Sequence, residues 1–153
     1  MGFTESDTRA KLIAPAIHAR GWTEELIRRE ETAGAVQIID RKPRKQAKGC
    51  VDYTLRVKVK RDTQPVAVAL IEGKAESLPP NHGLEQVKVY AASKRLNVPF
   101  VFATNGHLFV EYDRITGLTA ALNFLRNIAV IFQAGLSKCT QRRVGGSANS
   151  IHT

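Results

Sequence analysis

Glu72, Gly73 and Lys74 close an otherwise apolar run, 66-VAVALI-71. A short apolar run of this kind is predicted to be an interior strand, covered on both faces. With a period of two, Val66, Val68, Leu70, Glu72 and Lys74 share one face, and Ala67, Ala69, Ile71 and Gly73 the other. A carboxylate and an ammonium then stand together where the strand reaches the rim of its sheet. Asp52 belongs with them. It begins 51-VDYTLRVKVK-60, whose alternation predicts a half-buried strand. Val51, Tyr53, Leu55, Val57 and Val59 take one face; Asp52, Thr54, Arg56, Lys58 and Lys60 take the other. The turn 61-RDTQP-65 joins the two strands as an antiparallel hairpin. The start of one strand faces the end of the other, so Asp52 and Glu72 are predicted neighbours across the ladder. Two carboxylates held close repel each other, and a hard divalent cation relieves the repulsion. Taken singly, each residue has a plainer reading: Glu72 with Lys74 as a rim ion pair, Asp52 as a solvated strand residue.

The elements that must position these groups are legible around them. Residues 4–21 are predicted to form a first helix, capped by Thr4 or Ser6, ended by Gly21, and disturbed by Pro15. A short helix is predicted over 23–31 and a strand over 35–40. Next comes 41-RKPRKQAKG-49, read as a basic loop. A helix over 84–96 carries Gln86 and Tyr90, one turn apart on one face. The apolar run 98-VPFVFAT-104 reads as a buried strand, and the turn Asn105-Gly106 leads to a strand over 107–112. The order of elements predicts an α/β fold with a central mixed sheet flanked by helices. That domain covers 1–117. Residues 118–136 are read as a further apolar helix, and 140–153 as a disordered tail.

The chain of 153 residues suits one compact domain, and its formal charge of +9 favours an anionic partner, nucleic acid first. Arg41, Lys42, Arg44 and Lys45 of the basic loop, with Arg56, Lys58 and Lys60, are candidate phosphate contacts. No base-reading signature accompanies them. Cys50 and Cys139 are far apart and make no zinc spacing with the four histidines, so a cytoplasmic, reduced setting without disulfides is expected. The polar N-terminus is not a secretory signal, and Asn123, Arg126, Asn127 and Gln133 interrupt the late apolar run. No membrane partner is expected.

Asp52 followed by Glu72-Gly73-Lys74 resembles the D…(D/E)-x-K signature of the PD-(D/E)xK nucleases, and Gln86 with Tyr90 resembles their Q-x-x-x-Y motif. Over about residues 4–117, TRAKLIAPAIHARGW, VDYTLRV, SLPPNHGLEQVKVYA and NVPFVFATNGHLFVEYD resemble the N-terminal region of the restriction (R) subunit of type I restriction enzymes. The resemblance implies a restriction-endonuclease-like core and a metal-dependent endonuclease acting on DNA. It implies that Asp52 and Glu72, with the carbonyl of Gly73, hold Mg²⁺ or Mn²⁺. It implies that Lys74 orients or activates a water, and that Gln86 and Tyr90 support the site and meet the DNA backbone. It implies an acidic residue of the first helix, Glu5 or Asp7, beside the metal. Modification and specificity subunits are the implied partners. The chain has no G-x-x-x-x-G-K-[ST] loop, so no ATP site is expected, and it stands for the nuclease domain without the motor. The alternative is a non-catalytic or remnant module that binds DNA or docks on partner subunits.

Overall fold

A computed structural model describes residues 1–32, 36–39, 42–45, 49–123 and 125; the account of 36–39 and 42–45 is of the backbone alone. The first helical segment runs as α1 (Glu5–Thr8), a π-helical turn (Arg9–Ile13) and α2 (Ala14–Ala19). Thr4 caps it, its hydroxyl accepting from Asp7 N–H at 3.2 Å. Pro15 has no N–H to give the helix, and the turn before it widens: Ala14 N–H reaches back five residues to Arg9 O.

The sheet has six strands in the order β1-β4-β5-β6-β7-β8. They are β1 (Ile27–Thr32), β4 (Cys50–Val57), β5 (Val66–Gly73), β6 (Phe100–Thr104), β7 (Phe109–Asp113) and β8 (Thr119–Leu122). β5 and β6 are parallel and the other neighbours antiparallel, so the sheet is mixed as predicted. The crossover between β5 and β6 runs through a 3₁₀ turn (Pro80–Gly83) and α3 (Leu84–Ala91). Ile13 and Ile17 pack on one face of the sheet with Tyr53, Leu55, Ile71 and Phe102. Leu84, Val87 and Ala91 of α3 pack on the other with Val51, Leu70, Val101 and Ala103.

Three expectations are corrected here. Residues 23–31 are not a helix: a 3₁₀ turn (Glu24–Leu26) leads into β1. Its Ile27 is buried, and its backbone supplies the second neighbour that the interior strand β4 needs. Helix-forming side chains lose to that pairing. The basic loop is also a strand over part of its length. β3 (Lys42–Lys45) pairs with β2 (Val36–Ile39) in a separate two-stranded sheet. Pro43 is tolerated because each strand of such a pair is an edge. Finally, Thr119–Leu122 is β8, paired with β7, where the start of a helix is expected. Leu125 is buried in the core; residue 124 and residues 126–136, with all of 140–153, lie outside the described residues.

Two phase changes alter which residues share a face. Leu55 pairs with Ala69 and Arg56 with Ala67, so Val68 is an extra residue in β5. Val68, Ala69 and Ile71 therefore meet α1–α2, while Leu70 turns to α3. In β4, Val51 lies under α3 but Tyr53 and Leu55 lie under α1–α2. The break falls at Asp52. The β1–β4 ladder pairs Arg29 with Tyr53 and Glu31 with Val51, passing over Asp52, and Glu30 opposite has φ 51°. β4 is buried on both faces, not one.

Gly106, in the β6–β7 loop, has φ +91°, and a Cβ there would lie 2.6 Å from Leu12 Cδ1. Gly106→Ala is expected to cost about 2 kcal/mol, from left-handed backbone strain plus the clash with the first helix. Urea unfolding would show this as a lower midpoint at unchanged m-value.

Candidate active site at the sheet rim

β4 begins, and β5 ends, at one rim of the sheet. The β4–β5 ladder runs up to Tyr53↔Ile71, one position short of an Asp52–Glu72 pair. The Asp52 side chain continues where the backbone stops: its Oδ2 accepts from Gly73 N–H at 2.7 Å. Its Oδ1 accepts from Arg9 Nη1 at 2.7 Å. Asp52 is thereby placed beside Glu72 and Lys74, as expected, though by a side-chain bond and not by ladder pairing.

Glu72 and Lys74 point toward the 3₁₀ turn that enters α3. Lys74 Nζ lies 3.0 Å from Glu72 Oε1. Both side chains are largely buried, 14% exposed for Lys74 and 6% for Glu72, so the pair is not the solvated rim ion pair of the plainer reading. Glu72 Oε2 is buried and has no hydrogen-bond partner. A buried carboxylate oxygen left without a partner is costly. Burial first, and the Asp52 charge second, push the Glu72 carboxyl above its ordinary pKa against the pull of Lys74. Burial works to lower the Lys74 ammonium, but the hydrogen bond and charge of Glu72, with Glu5 and Asp52 behind them, outweigh it and leave its pKa raised. Lys74 is therefore a fixed cation at neutral pH.

The first helix contributes Glu5 and not Asp7. Glu5 Oε2 is 4.0 Å from Lys74 Nζ, whereas Asp7 bonds with Thr4 and pairs with Lys11 at 2.9 Å. Gln86 and Tyr90 share a face of α3 as expected, Gln86 Nε2 donating to the Tyr90 hydroxyl at 2.7 Å. Of the basic candidates, Lys42, Arg44 and Lys45 lie on β3, and Arg41 lies outside the described residues. Arg56 is not on a free polar face: its Nη2 lies 2.6 Å from Glu31 Oε1. Lys58 lies 3.8 Å from Glu25.

Three site residues escape a reading by motif. Arg9 holds Asp52. Gly83 backs the ion pair: a Cβ there would meet Lys74 Cε at 2.6 Å and Glu72 Cγ at 2.9 Å. Gly49 lies against Tyr90, where a Cβ would fall 1.9 Å from the hydroxyl oxygen. The signals were present but mute. Arg9 stands four residues after Glu5, on the same helical face. The two glycines adjoin Cys50 and the Q-x-x-x-Y helix.

Among the described residues no group of three or more His, Cys, Asp or Glu could hold a metal ion. Mg²⁺ needs fewer protein ligands than that, since it keeps several waters and takes one or two carboxylates. The orphaned Glu72 Oε2 is the atom that fits such an ion. Asp52 fits less readily, because both its oxygens already accept hydrogen bonds.

A mixed sheet between helical layers, with these charged groups at the end of its parallel pair, is the restriction-endonuclease-like α/β fold. No family model matches the chain. It is 34% identical over 113 residues to the type I restriction enzyme EcoAI endonuclease subunit of Escherichia coli, an alignment covering 72% of this chain and 13% of that subunit. A solved fragment assigned to an HsdR subunit of a type I restriction enzyme from Vibrio vulnificus YJ016 superposes with a TM-score of 0.66 at 30% identity. That match covers 87% of this chain and 25% of the fragment. The chain is thus a homologue of a segment of type I restriction enzyme R subunits, and it spans a quarter or less of the relatives it matches. No helix among the described residues is long and apolar enough to cross a membrane.

Two substitutions test the site's electrostatics and packing. A raised folded-state pKa means that Glu72 favours folding below its ordinary pKa of 4.5 and that this contribution is lost as pH rises through the higher folded value. Glu72→Gln removes the charge, so its stability relative to wild type should grow as pH rises above 4.5. Paired denaturant titrations across that range read the difference. Gly83→Ala should displace the Lys74 side chain at a stability cost below about 1.5 kcal/mol, the cost of a small overpacking relieved by a flexible neighbour.

Proposed function

We propose that the chain is a metal-dependent nuclease domain that hydrolyses DNA phosphodiester bonds, in the PD-(D/E)xK manner, as part of restriction of foreign DNA. The observation that carries this reading is the buried, partnerless Glu72 Oε2 beside Asp52 and a fixed Lys74 cation. Burying an unpartnered carboxylate oxygen opposes folding, and a bound cation would offset that cost; Glu31 Oε2 is also buried and partnerless, so it is the neighbourhood of Asp52 and Lys74 that singles out Glu72.

Asp52 and Glu72, with the Gly73 carbonyl, would hold Mg²⁺ or Mn²⁺. Such an ion supplies polarisation of the scissile phosphate and a lowered pKa for a bound water. The chain's own residues do the rest. Gly73 N–H fixes the Asp52 carboxylate in place. Lys74, held 3.0 Å from Glu72 Oε1, would orient or activate the attacking water and offset charge on the phosphate in the transition state. Glu72 holds Lys74, and Gly83 leaves room for both. Gln86 orients the Tyr90 hydroxyl toward a backbone contact with DNA. Lys42, Arg44 and Lys45 on β3, with Arg41, would meet phosphates as a sequence-independent grip. Recognition of a DNA sequence would then belong to modification and specificity subunits in a cytoplasmic restriction–modification complex.

Supercoiled plasmid incubated with the protein and Mg²⁺ or Mn²⁺ tests this. Nicking should need the cation and fall by about 10² or more in Asp52→Ala, Glu72→Ala and Lys74→Ala, the scale of losing a group that stabilises developing charge. Metal-independent nicking, or nicking unchanged in all three variants, would sink the assignment. Cation-free binding of DNA without any cutting would favour the non-catalytic module.

A further inference from the structure

We infer that Arg9 is a built-in counter-ion of Asp52 that competes with the divalent cation for this carboxylate, so that loading the cation requires Arg9 to let go. The inference rests on the proposed metal site and goes beyond it by assigning a residue that controls its occupancy.

The two carboxylates of the site are in opposite states. Glu72 keeps one oxygen with no partner, while each Asp52 oxygen is held, Oδ1 by Arg9 at 2.7 Å and Oδ2 by Gly73 N–H at 2.7 Å. A backbone N–H leaves lone pairs for a cation, but a guanidinium beside the same oxygen repels one. Arginine does not deprotonate in proteins, so it vacates the carboxylate only by moving. A divalent cation bound at Asp52 Oδ1 would stand beside the guanidinium that is held there at 2.7 Å, and departure of Arg9 removes that repulsion.

The surroundings permit that departure by the side chain alone. The Arg9 backbone is pinned: its carbonyl accepts from Ala14 N–H across the π-turn and from the Tyr53 hydroxyl at 3.1 Å. Its side chain is 26% exposed and stands at a cleft of about 540 Å³ lined by Ser6, Ala10, Glu30, Asp52 and Tyr53. A second acceptor waits at that cleft. Glu30 Oε1 is 3.7 Å from Arg9 Nη1, on a side chain that is 73% exposed. Glu30 occupies the left-handed position opposite Asp52. A DNA phosphate entering the cleft would be a third acceptor, of the kind a guanidinium fork grips well. Cation and DNA would then load together, each easing the release of Arg9.

Calorimetric titration of Mn²⁺ into the whole chain, without DNA, separates this role from a structural one. Arg9→Gln should bind Mn²⁺ about tenfold tighter than wild type, the scale of removing one nearby partly screened like charge. Arg9→Lys should stay close to wild type, and Arg9→Gln with Asp52→Asn should lose the gain. Thermal unfolding checks that each variant is folded. Should the glutamine variant fail to fold, Arg9→Met keeps the stem that packs beside Gly73 and should show the same gain. Equal or weaker Mn²⁺ binding in the folded variant overturns the competition, which is what a merely structural Arg9 would give, and leaves the nuclease reading standing. No Mn²⁺ binding by wild type or by the folded variant overturns both.

Discussion

The hydrogen bond from Gly73 N–H to the Asp52 carboxylate is the constraint on which the rim depends. β4 is an interior strand, and an interior strand leaves no free backbone groups at its end without consequence. At Asp52 the ladder lapses on both sides, and the side chain takes over a bond that backbone would otherwise make. That substitution does two things at once. It satisfies the last N–H of β5, and it brings a carboxylate to the residue lying between Glu72 and Lys74. The site is thus built from an interruption of regular structure, and the regular part of the sheet only carries the two strands to the same rim.

Charge is handled differently on either side of that bond. On the α3 side, Glu72 and Lys74 are paired in a largely buried setting where desolvation works against both charges. On the side of the first helix, Asp52 is paired with an arginine that stands at an open cleft. The buried pair is a fixed part of the protein, and the outer one is exchangeable. The proposed uptake of a cation and a polyanion would draw on both: a component that does not move when they arrive and one that does.

Much of this was legible in the sequence, for definite reasons. The strand ending in Glu72-Gly73-Lys74, the apolar strand before Asn105 and the helix carrying Gln86 and Tyr90 declare themselves because one periodicity or one turn signal dominates each. The face assignments within β4 and β5 were less legible. A single extra residue at Val68 and a lapse at Asp52 reverse the alternation, and period-two counting cannot see either. β1 and β8 were hidden because neither carries a strand pattern; each is a strand only because a neighbour needs its backbone. Arg9, Gly49 and Gly83 were hidden because their roles are set by what lies across space, at zero sequence cost to the motif.

Glu30 carries one more consequence. β1 is a terminal strand of the six-stranded sheet, and such a strand offers a row of unused donors and acceptors to any passing chain. Its sequence, IRREET, is crowded with charge, and the left-handed turn at Glu30 bends the row out of line partway along. Both features oppose the pairing of a second chain along this edge. The same local kink that leaves Asp52 without a ladder partner also guards the molecule against edge-to-edge aggregation, so the irregularity serves solubility and the rim together.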